Sequence, residues 1–104
     1  MINVISGENF EEAKKCDIAL IDFSATWCGP CKMLAPIMEN LSEEFAGQVD
    51  FFSCDVDENP NLAFEFKVVS IPTVIILKKG EVIARETGFQ PKPAMKQMIM
   101  DNIK

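Results

Sequence analysis

Apolar positions along this chain recur with two different periods, and the changes between them outline its elements. Asn3 to Ile5 reads as a short strand, and Ser6 is placed to cap a helix from Gly7 to about Lys15, with Ile5 and Phe10 as a hydrophobic staple across the cap. Ile18 to Phe23 is too continuously apolar for a half-exposed edge, which predicts a central strand with parallel neighbours. Leu34, Ile37, Met38, Leu41 and Phe45 then recur at helical spacing. Pro36 falls inside that helix and should kink it, removing one hydrogen bond and crowding the carbonyl of Lys32. Val49 to Val56 is strand-like. Asn59-Pro60 has the form of a helix start, cap and first turn, leading to a short helix that ends near Lys67. Thr73 to Leu77 predicts a buried strand, and Lys79-Gly80 turns it into a hairpin with Glu81 to Thr87. Pro91 or Pro93 opens a last helix with Met95, Met98, Ile99 and Ile103 on its apolar face. The order βαβαβαββα predicts an α/β fold in which a mixed, mostly parallel sheet carries helices on both faces, in a single domain over residues 1–104.

Composition narrows the class. With 104 residues and 48% hydrophobic content there is material for one core and no room for a second domain. The first residues lack a basic segment followed by a sustained apolar one, so no signal peptide is expected. The longest nearly apolar stretch, Val68 to Leu77, contains Ser70 and Pro72 and falls short of the roughly 20 residues that span a bilayer. A cytoplasmic protein with no membrane partner is the expectation. Net charge is -6 with the acidic residues scattered, so nucleic-acid backbones are repelled on average and are not expected partners. Four cysteines at uneven spacing do not form a secreted disulfide framework, and a reducing compartment keeps most of them as thiols.

Two of those cysteines change the picture. Trp27-Cys28-Gly29-Pro30-Cys31-Lys32 lies where an apolar strand hands over to an amphipathic helix. Thiols three positions apart can close into a small disulfide and reopen. A thiol attacks a disulfide only as the thiolate, and free N–H groups with the positive end of the helix dipole favour negative sulfur at a helix start; Lys32 adds a nearby cation. Cys28, at the extreme end, is therefore the expected nucleophile with its sulfur exposed, and Cys31 the resolving thiol. In a regular helix their Cβ atoms would stand roughly 5–6 Å apart, against about 3.5–4.5 Å in a relaxed disulfide, so a local adjustment is expected. Gly29 lets a substrate backbone approach, and Pro30 stiffens the turn where its missing N–H costs nothing. The competing reading of CxxC as half a zinc site wants a second CxxC or CxxH, whereas this chain has no histidine and otherwise only the isolated Cys16 and Cys54. Those two read as small buried hydrophobes, with a regulatory disulfide as the alternative.

These residues resemble the thioredoxin family over essentially the whole chain. The resemblance is carried by Asp22-Phe23, the Trp27 to Lys32 run, Pro36, Asp57-Glu58-Asn59-Pro60, Ser70-Ile71-Pro72-Thr73 and Gly88. It implies a thiol-disulfide oxidoreductase that reduces protein disulfides through a mixed disulfide and is re-reduced by a thioredoxin reductase. The dithiol itself carries the electrons, so no cofactor or metal is expected, and the protein is expected to be a monomer. The resemblance makes Asp22 a buried carboxylate that moves the proton of Cys31, with burial raising its pKa. It makes Pro72 a cis-proline that presents the backbone of Ile71 to an extended substrate, and it gathers Trp27, Gly29, Pro30, Ile71, Pro72 and Gly88 into a contact surface. Pro30 between the cysteines resembles the reductant members rather than the isomerase members, which usually carry histidine there. Two departures stand out. Ser24 occupies a place where many members have a second tryptophan, and Ser53 one where a lysine commonly lies near the buried carboxylate, so the acidity of Asp22 should rest on desolvation and the thiols alone.

Overall fold

The computed structural model describes residues 2–6 and 9–103, and within them the element order is the one the hydrophobic pattern predicts. Strands β1 (Ile2–Val4), β2 (Ile18–Ser24), β3 (Asp50–Asp55), β4 (Thr73–Lys78) and β5 (Glu81–Thr87) form one sheet in the order β1-β3-β2-β4-β5. β1 and β2 both pair with β3 in parallel, β4 pairs antiparallel with β2, and β5 antiparallel with β4. Four strands therefore share a direction and β4 alone is reversed, as the Lys79-Gly80 hairpin requires. Both turn residues have positive φ, 50° and 87°, the conformation that matches the right-handed twist of the strands.

Alternation along the strands splits the core in two. Ile21, Phe23, Phe52, Cys54, Ile75 and Leu77 face one side, where Phe10 and Ala13 of α1 (Phe10–Lys15) and Leu62 of α3 (Pro60–Glu65) cover them. Leu20, Phe51, Val74 and Ile76 face the other, under Leu34, Met38 and Leu41 of α2 (Gly29–Glu44) and Met95 and Ile99 of α4 (Lys92–Asn102). β2, at the centre of the sheet, has neighbours on both edges and helices on both faces, which is why its run of apolar residues shows no alternation.

Three helices can be set beside the sequence expectation. The first described helical residue of α1 is Phe10, and Asn9 precedes it with no side-chain cap hydrogen bond into the helix. Instead the Asn9 side chain accepts a hydrogen bond from the Ser6 amide (2.6 Å) and donates one to the Val4 carbonyl (3.0 Å), tying the helix to the end of β1; the expected start at Gly7 lies outside the described residues. Helix α3 stops at Glu65 rather than near Lys67, because Lys67 takes a left-handed φ of 56° that ends helical winding. Helix α2 carries Pro36 inside it, as expected, and runs from Gly29 to Glu44.

Candidate active site

Strand β2 ends at Ser24, and a short turn places Cys28 at the cap of α2. The backbone of Cys28 is extended (φ −89°, ψ 114°) rather than helical, and this is the local adjustment the cysteine pair needs: the Cα atoms of Cys28 and Cys31 stand 5.3 Å apart and the two sulfurs are joined as a disulfide. The Cys28 sulfur accepts a hydrogen bond from the Cys31 amide at 3.2 Å, taking the place that a serine or aspartate oxygen holds in an ordinary helix cap. Pro30 sits in the first turn, where its missing donor costs nothing.

The sulfur is more enclosed than the sequence suggests. Cys28 and Cys31 are each only 5% exposed, packed with Ala25, Val56 and Ile71. Access is through a groove of about 520 Å³ bounded by Trp27, Cys28, Gly29 and Pro30 on one side and Val68 to Ile71 on the other. The expected exposed thiol is thus corrected to one at the base of an apolar cleft, because residues distant in sequence close over it. Space around Gly29 is open, with no atom within 4 Å of where a Cβ would stand.

Trp27 is 68% exposed at the rim, and its indole N–H donates to Asp57 at 2.7 Å. Asp57 is itself positioned: the Asp55 carboxylate accepts from the amides of Asp57 (2.8 Å) and Glu58 (3.2 Å), and the Asp55 carbonyl accepts from the side-chain amide of Asn59. That Asx turn leads from β3 into α3 and holds Val56 against the cysteines. Opposite, the Ile71-Pro72 peptide bond is cis, and the Ile71 carbonyl lies 3.9 Å from the Cys28 sulfur. Pro72 is buried and does not line the groove; its carbonyl accepts from the Gly88 amide at 2.7 Å, and Gly88 has a φ of 91° that a side chain would strain. Gly88 is partly exposed, with open space where a side chain would stand.

Asp22 is 7% exposed on the face of β2 that α2 covers. Its Oδ1 has no hydrogen-bond partner among the described residues, and burial raises its pKa from the ordinary 3.8 to about 6. Ser53 is its register partner on β3 and Val74 on β4, so the strands flanking Asp22 bring it no cation and desolvation alone sets the shift. Cys31 opens on the side away from the main groove, onto a cavity of about 180 Å³ with Ser24, Thr26, Lys32 and Asp55. Cys54 is fully buried, as expected for a small hydrophobe, and burial pushes its pKa to about 11; Cys16 is half-buried, likewise raised to about 11, chiefly by desolvation with Asp50 adding to it. Among the described residues, no three or more of His, Cys, Asp and Glu are grouped to hold a metal ion, and no helix is long and apolar enough to cross a membrane.

The structure therefore brings together Trp27, Cys28, Gly29, Pro30, Cys31 and Ile71. It adds Val56, Val68 and Val69, whose only signal in the sequence is that they adjoin the Asp57 and Ser70-Ile71-Pro72 motifs.

Comparison with known proteins agrees with this geometry. The thioredoxin family model matches residues 1–101. The thioredoxin of Staphylococcus haemolyticus is 45% identical over 95 residues, 91% of each chain, and that of Staphylococcus aureus 41% over the same span. A solved structure from a study of thiol resolution in yeast mitochondrial 1-Cys peroxiredoxin through glutathione and thioredoxin systems superposes with a TM-score of 0.88 at 36% identity, covering 96% of this chain and 94% of that one. The chain belongs to the thioredoxin family and is a thiol-disulfide oxidoreductase that reduces protein disulfides.

Proposed function

We propose that Cys28 is the sulfur that attacks the substrate and Cys31 the one that resolves the adduct. The observation that carries this is the position of the Cys28 sulfur at the cap of α2, accepting the Cys31 amide. A thiolate there receives a backbone hydrogen bond and the positive end of a 16-residue helix, both of which lower its pKa. The Cys28 thiolate attacks one sulfur of a substrate disulfide; the S–S bond breaks and the other substrate sulfur leaves as thiolate. Cys31 then attacks the Cys28 sulfur, expelling the second substrate thiolate and closing the intramolecular disulfide, so two electrons pass from the dithiol to the substrate.

Asp22 takes the proton of Cys31 in the second step. Buried, unpaired and titrating near neutrality, it is a base matched to that task. Trp27, Ile71, Pro72 and Gly88 serve substrate binding, with different parts: Trp27 and Ile71 line the groove, while the hydrogen bond from the Gly88 amide to the Pro72 carbonyl fixes the backbone next to Ile71. No backbone hydrogen bond among the described residues uses the Ile71 amide, which suits pairing with an extended substrate. The chain works as a single-domain monomer over residues 1–104, in the cytoplasm, where a thioredoxin reductase restores the dithiol and no bound cofactor is needed.

The test is the double substitution Cys28→Ser and Cys31→Ser. Turnover of insulin disulfides with dithiothreitol as electron donor should fall to the uncatalysed rate, a loss of about a thousandfold or more. A double variant that keeps its activity would refute the dithiol mechanism.

A further inference from the structure

The groove above Cys28 does not stop at its own wall. Val68 and Val69, which bound it, also bound a second groove of about 480 Å³ whose other walls are Ala63, Phe64, Glu65 and Lys67. Phe64 is 86% exposed and Val69 96%, although both are large and apolar. Two such residues side by side next to a reactive centre form a surface suited to being covered. The backbone beneath them is fixed: the Val68 amide donates to the Ala63 carbonyl (2.8 Å), and the Lys67 amide to Phe64 (3.0 Å). The second groove is thus preformed.

Its occupant follows from the first groove. The activity of the protein brings a polypeptide disulfide to the Cys28 sulfur, 3.9 Å from the Ile71 carbonyl. From there the wall runs back through Ser70 to Val69, two residues away and shared by both grooves. In an extended chain, side chains return to the same side every second residue, about 6.6–6.8 Å apart. A substrate segment lying along Ile71 to Val69 with its cysteine at Cys28 therefore carries its second flanking residue to Val69 and Phe64.

We propose that Phe64 and Val69 form a specificity subsite for a large apolar side chain two residues from the attacked cysteine of the substrate polypeptide. This rests on Cys28 being the attacking sulfur. It assigns the subsite to the substrate chain rather than to a second copy of this protein.

The test uses the full chain, reduced beforehand, and extended peptides dimerised through a single cysteine. One peptide carries Phe two residues before the cysteine, one carries Phe two residues after it, and one has Ser at both places. With the wild-type protein, Phe on one flank should raise the second-order rate constant about tenfold over Ser. Which flank responds reports the direction of the bound strand. In the Phe64→Ser/Val69→Ser double variant that ratio should fall below about twofold. Equal rates for all three peptides would overturn the subsite while leaving the attacking sulfur in place. If none is reduced, the reading of Cys28 fails and the subsite with it. A preference that persists in the double variant would place the apolar side chain elsewhere and overturn the proposal. So would concentration-dependent dimerisation of the wild type that the substitutions abolish, since it would give the patch to a second copy.

Discussion

Cys31→Ser should accumulate a stable mixed disulfide with substrate through Cys28, while Cys28→Ser should form none, and turnover should fall about a thousandfold or more in both. The asymmetry comes from where the two residues stand in α2. Cys28 borders the groove through which a substrate arrives; Cys31 opens onto the smaller cavity on its other side. With Cys31 gone, nothing within reach can displace the captured sulfur, because the remaining free cysteines, Cys16 and Cys54, belong to the core cluster on the opposite side of the sheet and have pKa values raised to about 11. Non-reducing electrophoresis with a single-disulfide substrate, followed by mass spectrometry of the linked peptide, reads the result. An adduct through position 31 in the Cys28 variant would reverse the two roles.

Asp22→Asn should stabilise the oxidised protein at neutral pH by about 2–3 kcal/mol and slow resolution of the mixed disulfide by about a hundredfold, affecting its formation far less. The sign follows from the direction of the shift. Folding raises the pKa of Asp22 from 3.8 to about 6, so the unfolded chain holds the charged form more readily than the native one. Below pH 3.8 both states are protonated and the residue costs nothing. Between 3.8 and about 6 the unfolded state has already lost its proton, so stability declines as pH rises, and above 6 the whole penalty is in force. The advantage of Asp22→Asn should therefore grow from pH 4 to 6 and then level off in urea titrations across that range. An equal advantage at every pH would mean that the substitution acts through packing rather than charge. The resolution rate of the wild type should rise with pH through about 6 as the base becomes available, and the variant should lose that rise.

Much of this site could be read from the chain because the residues carrying it are close in sequence. Trp27 to Lys32 is one turn of backbone, and the Asn59-Pro60 and Lys79-Gly80 signals each act within two or three residues, so local stereochemistry was enough to place them. Asp22 was legible as a buried carboxylate through the family resemblance rather than through its strand, since a carboxylate at the end of an apolar run could equally stand exposed. The expected desolvation is the cause of its shift, with Ser53 beside it. What sequence reasoning missed depends on long-range packing. Val56 comes from the loop after β3 to enclose Cys28 beside Ile71, which the resemblance already names, and nothing in the spacing of the cysteines shows how deep the sulfur will lie. Val68 and Val69 carry no chemical signature, standing in the sequence only at the start of the apolar stretch before β4, and it is packing that sets them on the groove wall. At the first helix, Ser6 and Asn9 are both good caps. The Asn9 side chain bonds back to the Ser6 amide and the Val4 carbonyl, a link to β1 that helix-cap preferences do not show.

The single indole of the chain is held by Asp57 at the lip of the cleft, in residue sequence adjacent to the sulfur that changes bonding state with every cycle. The chain thus carries its own optical probe: indole emission should change between the disulfide and dithiol states, and stopped-flow fluorescence without added dye would read that change during turnover. Because the indole is largely open to water, an arriving polypeptide that covers it shifts the colour of that emission as well, which separates docking from electron transfer in one measurement.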